Sequence, residues 1–274
     1  MKRRMPLSAN GMIGCVLIGL VLLAAMTALV WTPYNPLAVN LQIRLQAPSS
    51  AHLLGTDEFG RDVLSRAMAG AAASGQVAAL TVAFAVSSGL LVGVLTGFFR
   101  GWTDRILSAF NDAMLAFPGI LLALAVMMVV GANRYGIIIA LGLAYAPTVV
   151  RVVRGTVLSL REKEYVEASR MIGNPEWLTM WRHILPNCMA PVAVLTTSMF
   201  GWVLLSESAL SFLGLGVPPP APTWGNMLAA SRQYMQNAMW LGLVPGLCIS
   251  MTLLGINLLG DAVRDRFDPL MVGK

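Results

Sequence analysis

Residues 155–187 read GTVLSLREKEYVEASRMIGNPEWLTMWRHILPN. Arg161, Glu162, Lys163, Glu164, Glu167 and Arg170 crowd into one short run of it. Apolar stretches flank it, 136–153 before and 188–212 after, broken only by Arg151 and Glu207 among charged residues. A charged island bounded in this way is water-facing chain between two segments that avoid water. The whole chain agrees. Of its 274 residues 57% are hydrophobic and 12% charged, and the mean hydropathy is +0.70. A soluble domain carries about 25% charged residues. A single soluble core does not hide this much apolar surface, so lipid is the solvent for most of the chain. The net charge of +6 then marks loops beside a membrane rather than a nucleic-acid surface.

A helix rises about 1.5 Å per residue, so about 20 residues cross the roughly 30 Å apolar slab. Six stretches qualify, at 11–30, 72–99, 106–131, 136–153, 188–212 and 238–260. Ser74, Gly75 and Gln76 dilute the start of the second, and Pro147 is expected to kink the short fourth. The first follows Lys2, Arg3 and Arg4. Its apolar run is long for a cleaved leader and no small-residue cleavage site follows it, so it reads as a retained anchor. The expected fold is one all-α, multi-pass membrane domain over 1–274. With both termini in the cytoplasm, the outer side holds Arg44, Arg61, Arg66, Arg134 and Arg232, and the inner side the other 14 of 19 lysines and arginines. That imbalance sets the orientation. Gly89, Gly93 and Gly97 recur every four residues, a stripe against which another helix lies closely.

The charged island reads as helix–turn–helix. Residues 160–172 carry good helix formers, and Gly173 supplies a stop. Asn174 is then expected as N-cap, Pro175 as the first helical residue and Glu176 at the positive end of the dipole. The second helix is expected over 175–185, ending at Pro186. Tyr165, Trp177, Trp181 and Ile184 are too apolar for a free hairpin, so membrane surface or a protein partner must cover them. Ala168 and Ser169 set small residues beside Glu167, which lets another surface approach.

At this point a resemblance becomes specific. Glu167-Ala168-Ser169 with Tyr165 and Arg170 around it, then Gly173, then His183-Ile184-Leu185-Pro186-Asn187, resembles the EAA loop of ABC-importer permeases. Ser169 stands where that motif has its second alanine. Three further stretches resemble the dipeptide/oligopeptide/nickel branch: 54–66 with Leu54-Gly55-Thr56-Asp57, 207–225 with Ser211-Phe212-Leu213-Gly214 and Pro218-Pro219, and 257–269. The closest resemblance is to the C-type membrane subunit. The resemblance implies a type I permease: six membrane helices and a cytoplasmic coupling helix within 155–187 that docks on a separate ATPase subunit. It implies half of a translocation path, built with a different second permease, served by ATP-binding subunits and an extracytoplasmic binding protein, in a bacterial inner membrane. Dipeptides or oligopeptides are the expected cargo. Nickel or its chelates, glutathione and opines are the alternatives within the same family.

The residues exclude other chemistry. None of the three lysines, Lys2, Lys163 and Lys274, stands in a G-x-x-x-x-G-K-[ST] loop, so the chain offers no phosphate cradle of its own. No catalytic residue, metal site or cofactor is expected, and ATP belongs to the partner. Cys15, Cys188 and Cys248 read as small buried hydrophobes. A secondary transporter is the different-class alternative, but it has no need of the inner helix pair. An intramembrane protease is disfavoured, since neither His52 nor His183 lies in a span. Glu207 must face protein or water inside the fifth span, either as a pore residue or as a helix–helix hydrogen bond. Asp112 is expected to pair with Arg105, Arg151 or Arg154, and Arg61 and Asp62 to form an ion pair or a cap for the second span.

Overall fold

In order along the chain, α1 (Ala9–Ala28) leads to a segment with one 3₁₀ turn, Leu41–Ile43, and then to α2 (Val63–Phe98), α3 (Trp102–Ala116), α4 (Gly119–Val130) and α5 (Arg134–Arg161). The short α6 (Glu164–Met171) and α7 (Glu176–Thr179) follow, then α8 (Leu185–Phe212), α9 (Trp224–Ser231) and α10 (Trp240–Phe267). This computed structural model describes residues 9–99 and 101–267, the last three by backbone alone. Lys2, Arg3, Arg4, Arg100, Lys274 and the Asp268-Pro269 end of the C-terminal motif lie outside the described residues. No strand occurs among the described residues, only an isolated bridge between Thr56 and Asp62.

Five helices are long and apolar enough to cross a membrane, or six if the bent pair α3–α4 counts as one. The third stretch, 106–131, is therefore not one straight helix: it breaks by 100° between Ala116 and Gly119. Pro118 explains the break. It has no N–H to continue the ladder, and it holds Phe117 extended at φ −90°, ψ 140°. The second stretch begins at Val63, nine residues before the expected 72. Asp62 caps it, accepting from the Ser65 N–H at 2.8 Å and Ser65 Oγ at 2.7 Å. Of the residues that diluted this start, Ser74 is buried against protein, Gly75 is half-buried and Gln76 is exposed, and all three lie inside the helix; Ser65 and Arg66, nearer its start, are buried too. Pro147, Pro191 and Pro245 all lie inside helices. Membrane helices tolerate such prolines. Beside Pro147, Asn111 Nδ2 of α3 donates to the Pro147 carbonyl at 3.3 Å, which ties α3 to α5.

The glycine stripe of α2 meets a valine ridge of α5. A Cβ on Gly89 would stand 2.5 Å from Val149 Cβ; one on Gly93 or Gly97 would stand 2.7 Å from Val153 or Val157 Cβ. The order of contacts is the same in both helices, so α2 and α5 run parallel. Between two parallel helices the chain must return to its starting side, and α3 with α4 makes that return. α8 runs antiparallel to α5, with Tyr145 Oη 2.7 Å from Ser206 Oγ near one end and Tyr165 beside His183 at the other. α10 is antiparallel to α8, setting Gly201 against Leu253 and Gly260 against Thr197. α1 is antiparallel to α10, with Gly14 on the Gly255 backbone. The start of α1 and the end of α10 thus share one side.

Lipid gives helices no hydrophobic reason to associate, so close packing carries the bundle. Gly93→Leu should overpack the α2–α5 contact by about 1–3 kcal/mol. Gly155→Leu, where a side chain would meet nothing within 4 Å, is the control. Thermal unfolding in detergent, followed by reaction of the buried Cys188 thiol, should show a lowered midpoint for the first and none for the second.

Candidate functional site

The hairpin between α5 and α8 is built from local rules. α5 ends at Arg161 and the chain turns at Glu162 and at Lys163, which is extended at ψ 140°. α6 ends in a left-handed glycine: Gly173 has φ +86°. Its N–H donates to the Arg170 carbonyl at 2.9 Å and the Asn174 N–H to the Ser169 carbonyl at 3.2 Å, the paired bonds of a Schellman cap. The expected capping by Asn174 does not occur. Pro175 holds the N-cap position, and Asn174 Nδ2 turns back to Ser169 Oγ at 3.1 Å. The second helix does not end at Pro186 either. α7 passes through a π-helical turn, Met180–Ile184, straight into α8. That looser turn carries the chain past a proline ring that would crowd the carbonyl four residues back in a plain α-helix.

The hairpin has an inward and an outward face. Val166, Thr179 and Ile184 are fully buried, and Ser169 Oγ lies 3.0 Å from Thr179 Oγ1. Glu167 and Ala168 are exposed, and Tyr165 presents its ring at the edge. At the tip Met171 and Ile172 are 87% and 80% exposed, with Trp177 and Trp181 exposed nearby. Arg170 is half-buried, and its Nε and Nη2 are sealed from solvent with no hydrogen-bond partner among the described residues. Behind the hairpin, arginines on α5 tie down its neighbours. Arg154 grips Asp104 of α3 at 2.7 and 2.9 Å, Arg151 reaches Asp112 at 3.1 Å, and Arg161 donates to the Gly97 and Phe98 carbonyls that end α2. Asp112 thus takes Arg151, leaving Arg154 to Asp104.

The opposite end of the bundle holds a second polar cluster. Asp57 accepts from Arg61 Nε at 2.6 Å and forms an ion pair with Arg66, whose Nε lies 3.3 Å away. Asp62, besides capping α2, lies 2.9 Å from His52 Nδ1. Of the two outcomes expected for Arg61 and Asp62, Arg61 makes an ion pair, with Asp57, and Asp62 makes the cap. Glu207 is fully buried near the end of α8 and accepts from Ser211 Oγ at 2.9 Å. Among the described residues no three metal-ligating groups come together.

A family model described as a binding-protein-dependent transport system inner membrane component matches residues 89–273. The chain belongs to that family. A putative peptide transport system permease of Brucella suis is 40% identical over 97% of this chain and 90% of its own. The dipeptide transport system permease of Alkalihalophilus pseudofirmus is 40% identical over 94% and 85%. In three dimensions the chain resembles the inward-facing MetNI methionine ABC transporter, with a TM-score of 0.59 and 20% identity, covering 72% of this chain and 94% of the other. The all-helical permease fold and membership among ABC-importer membrane subunits follow.

Within this permease, the residues singled out in the EAA-like loop cluster on one hairpin, but they do different work. Glu167, Ala168 and Tyr165 face outward, Ser169 faces inward and Gly173 makes the turn. Missed in the sequence were the residues around Glu207 and the partners of Arg66. A capping box at Thr223 and Asn226 is legible in the spacing Thr-x-x-Asn, but its place beside Glu207 is not. Ser169→Ala removes hydrogen bonds worth about 1 kcal/mol, about fivefold in an opening equilibrium. Tryptic cleavage at Lys163 and Arg170 should quicken by that factor, and far more in Ser169→Leu, which forces bulk against the buried Thr179.

Proposed function

We propose that this permease forms half of the pathway of an ATP-driven peptide importer. It pairs with a different permease and couples through the hairpin 162–184 to ATP-binding subunits. The observation that carries the coupling role is the hairpin tip: apolar Met171 and Ile172 stand in the open on a rigid glycine-capped turn, next to exposed Glu167 and Ala168. A surface of that kind requires a cover. In this reading the tip enters a groove on the ATPase, with Tyr165 and Arg170 at its edge, and it faces the cytoplasm with both termini. The lysine and arginine imbalance supports that orientation.

Peptide as cargo is supported by the names of the relatives, a peptide and a dipeptide permease. A binding protein on the outer side delivers it. The chain itself binds no nucleotide in this scheme. ATP acts on it only by binding more tightly to one arrangement of the assembly than to the other, which shifts the bundle between inward-open and outward-open. The hairpin passes that shift on, because α7 and α8 are one continuous rod.

The test is uptake of labelled dipeptide into proteoliposomes holding the whole complex and its binding protein. Uptake should require ATP. Glu167→Lys and Gly173→Trp should each lower it at least about tenfold, a loss of about 1.4 kcal/mol, with membrane insertion and expression unchanged. A side chain at Gly173 would meet nothing of this chain within 4 Å, but at φ +86° it strains the turn. Gly173→Trp therefore acts on the hairpin's conformation as well as on its docking face, and Glu167→Lys is the cleaner probe. ATP-independent uptake, or normal uptake by both variants, would overturn the proposal.

A further inference from the structure

Glu207 sits where three elements meet. It lies near the end of α8, facing the first turns of α2 and the segment that leads into α9. Its carboxyl is fully buried, at 0% exposure, inside this one chain. Ser211 Oγ donates to Oε1 at 2.9 Å, and the hydroxyls of Thr223 and Ser74 bear on the same carboxyl. Both hydroxyls already accept from backbone N–H groups: Ser74 Oγ from Trp224 at 3.1 Å, and Thr223 Oγ1 from Asn226 at 3.1 Å. Each therefore has its own proton left to give. Glu207 Oε2 has no hydrogen-bond partner of standard geometry among the described residues. Among the described residues no arginine or lysine is paired with the carboxyl.

Packing independently points to the same place. A Cβ on Gly225 would stand 2.7 Å from Ser211 Cβ and 2.8 Å from Ser208 Cα, and one on Gly216 would collide with Ser211. Trp224 Nε1 donates to the Ala67 carbonyl of α2 at 3.0 Å, and its ring lies on Gly70. The backbone of 214–225 is thus pressed onto the face of α8 that bears Glu207, Ser208 and Ser211, while Trp224 pins it to α2. At its other end, α8 is continuous with the coupling hairpin through the π-helical turn.

We propose that Glu207 is a positioning residue: its buried carboxyl is the common acceptor that clamps the outer segment 214–231 to α2 and α8. α8 then carries that segment with it when the inner hairpin moves. This assigns Glu207 a task other than touching cargo. It rests on the importer reading for its transport readout alone; the exchange readout below stands without it.

The test uses the full complex in nanodiscs, with hydrogen–deuterium exchange over residues 213–231 and dipeptide uptake in proteoliposomes. Glu207→Ala leaves Ser211 Oγ without its acceptor and removes the carboxyl that the Ser74 and Thr223 hydroxyls lie beside. Exchange in this segment should quicken about tenfold or more, and the maximal uptake rate should fall by a similar factor. Glu207→Gln keeps the carbonyl for Ser211 and sets an NH₂ toward Ser74 and Thr223. It should hold exchange and uptake within about threefold, with KM unchanged. Ser211→Ala should quicken exchange by an intermediate factor, which keeps the proposal testable if Glu207→Ala does not accumulate. The proposal is overturned if Glu207→Ala or Ser211→Ala leaves exchange unchanged. It is also overturned if Glu207→Gln abolishes uptake or raises KM tenfold while the segment stays protected, since the carboxylate would then be a cargo contact. Loss of uptake in Glu167→Lys has no bearing on the exchange result, so the two readings fail separately.

Discussion

The close parallel contact of α2 and α5 constrains everything else in the bundle. Gly89, Gly93 and Gly97 present backbone to Val149, Val153 and Val157, and no side chain larger than hydrogen fits between them. In lipid, where apolar surface has no water to escape, such van der Waals contact is what holds helices together. Because the two helices run the same way, the chain between them must go back. The broken pair α3–α4 makes that return in spite of its 100° bend. Arg154 to Asp104 and Arg151 to Asp112 fasten α3 against α5 along the way. With α2 and α5 in register, α8 and α10 are forced into alternation, and the hairpin between α5 and α8 emerges at one end.

Charge is distributed accordingly. Bilayer hydrocarbon tolerates polar groups only where protein satisfies them. One end of the bundle gathers the α5 arginines and the hairpin between α5 and α8. The other gathers Asp57, Arg61, Arg66, the His52–Asp62 pair and Glu207 with its hydroxyls. The rod of residues 176–212 joins the two ends without a break, and its π-helical turn lies next to the hairpin. A motion imposed on the hairpin therefore has a stiff route across the membrane.

Much of this was legible in the residues. Apolar length predicts most of the crossings, and the four-residue glycine spacing predicts a close helix contact, though not that its partner is a valine ridge running parallel. Gly173 announces its turn because an L-residue at φ +86° is strained. Three features were not legible. Pro186 looks like a stop, but a widened turn absorbs it. Pro118 looks like a kink inside one span, yet it separates two helices. Ser74 looks like a diluting polar residue at the start of a span, yet tertiary partners bury it within a helix that begins at Val63. Only at Ser74 do long-range contacts override the local rule; at Pro118 the local rule acts in full, and at Pro186 a local widening of the helix absorbs it. Distant contacts matter again at Glu207: an isolated acid in an apolar run signals importance, but its surroundings combine Ser211, one turn along α8, with Ser74 of α2, far off in sequence, and Thr223 before α9.

The central claim is that the hairpin tip lies in the cytoplasm against an ATP-hydrolysing partner. The most direct measurement places a single thiol there, as Ile172→Cys in a chain whose Cys15, Cys188 and Cys248 are replaced by serine. A membrane-impermeant maleimide is then applied to right-side-out and inverted membrane vesicles. The account predicts labelling in inverted vesicles alone, and protection from it when the ATP-binding subunits are assembled on the complex. Labelling in right-side-out vesicles, or labelling that the ATP-binding subunits leave unchanged, would contradict it.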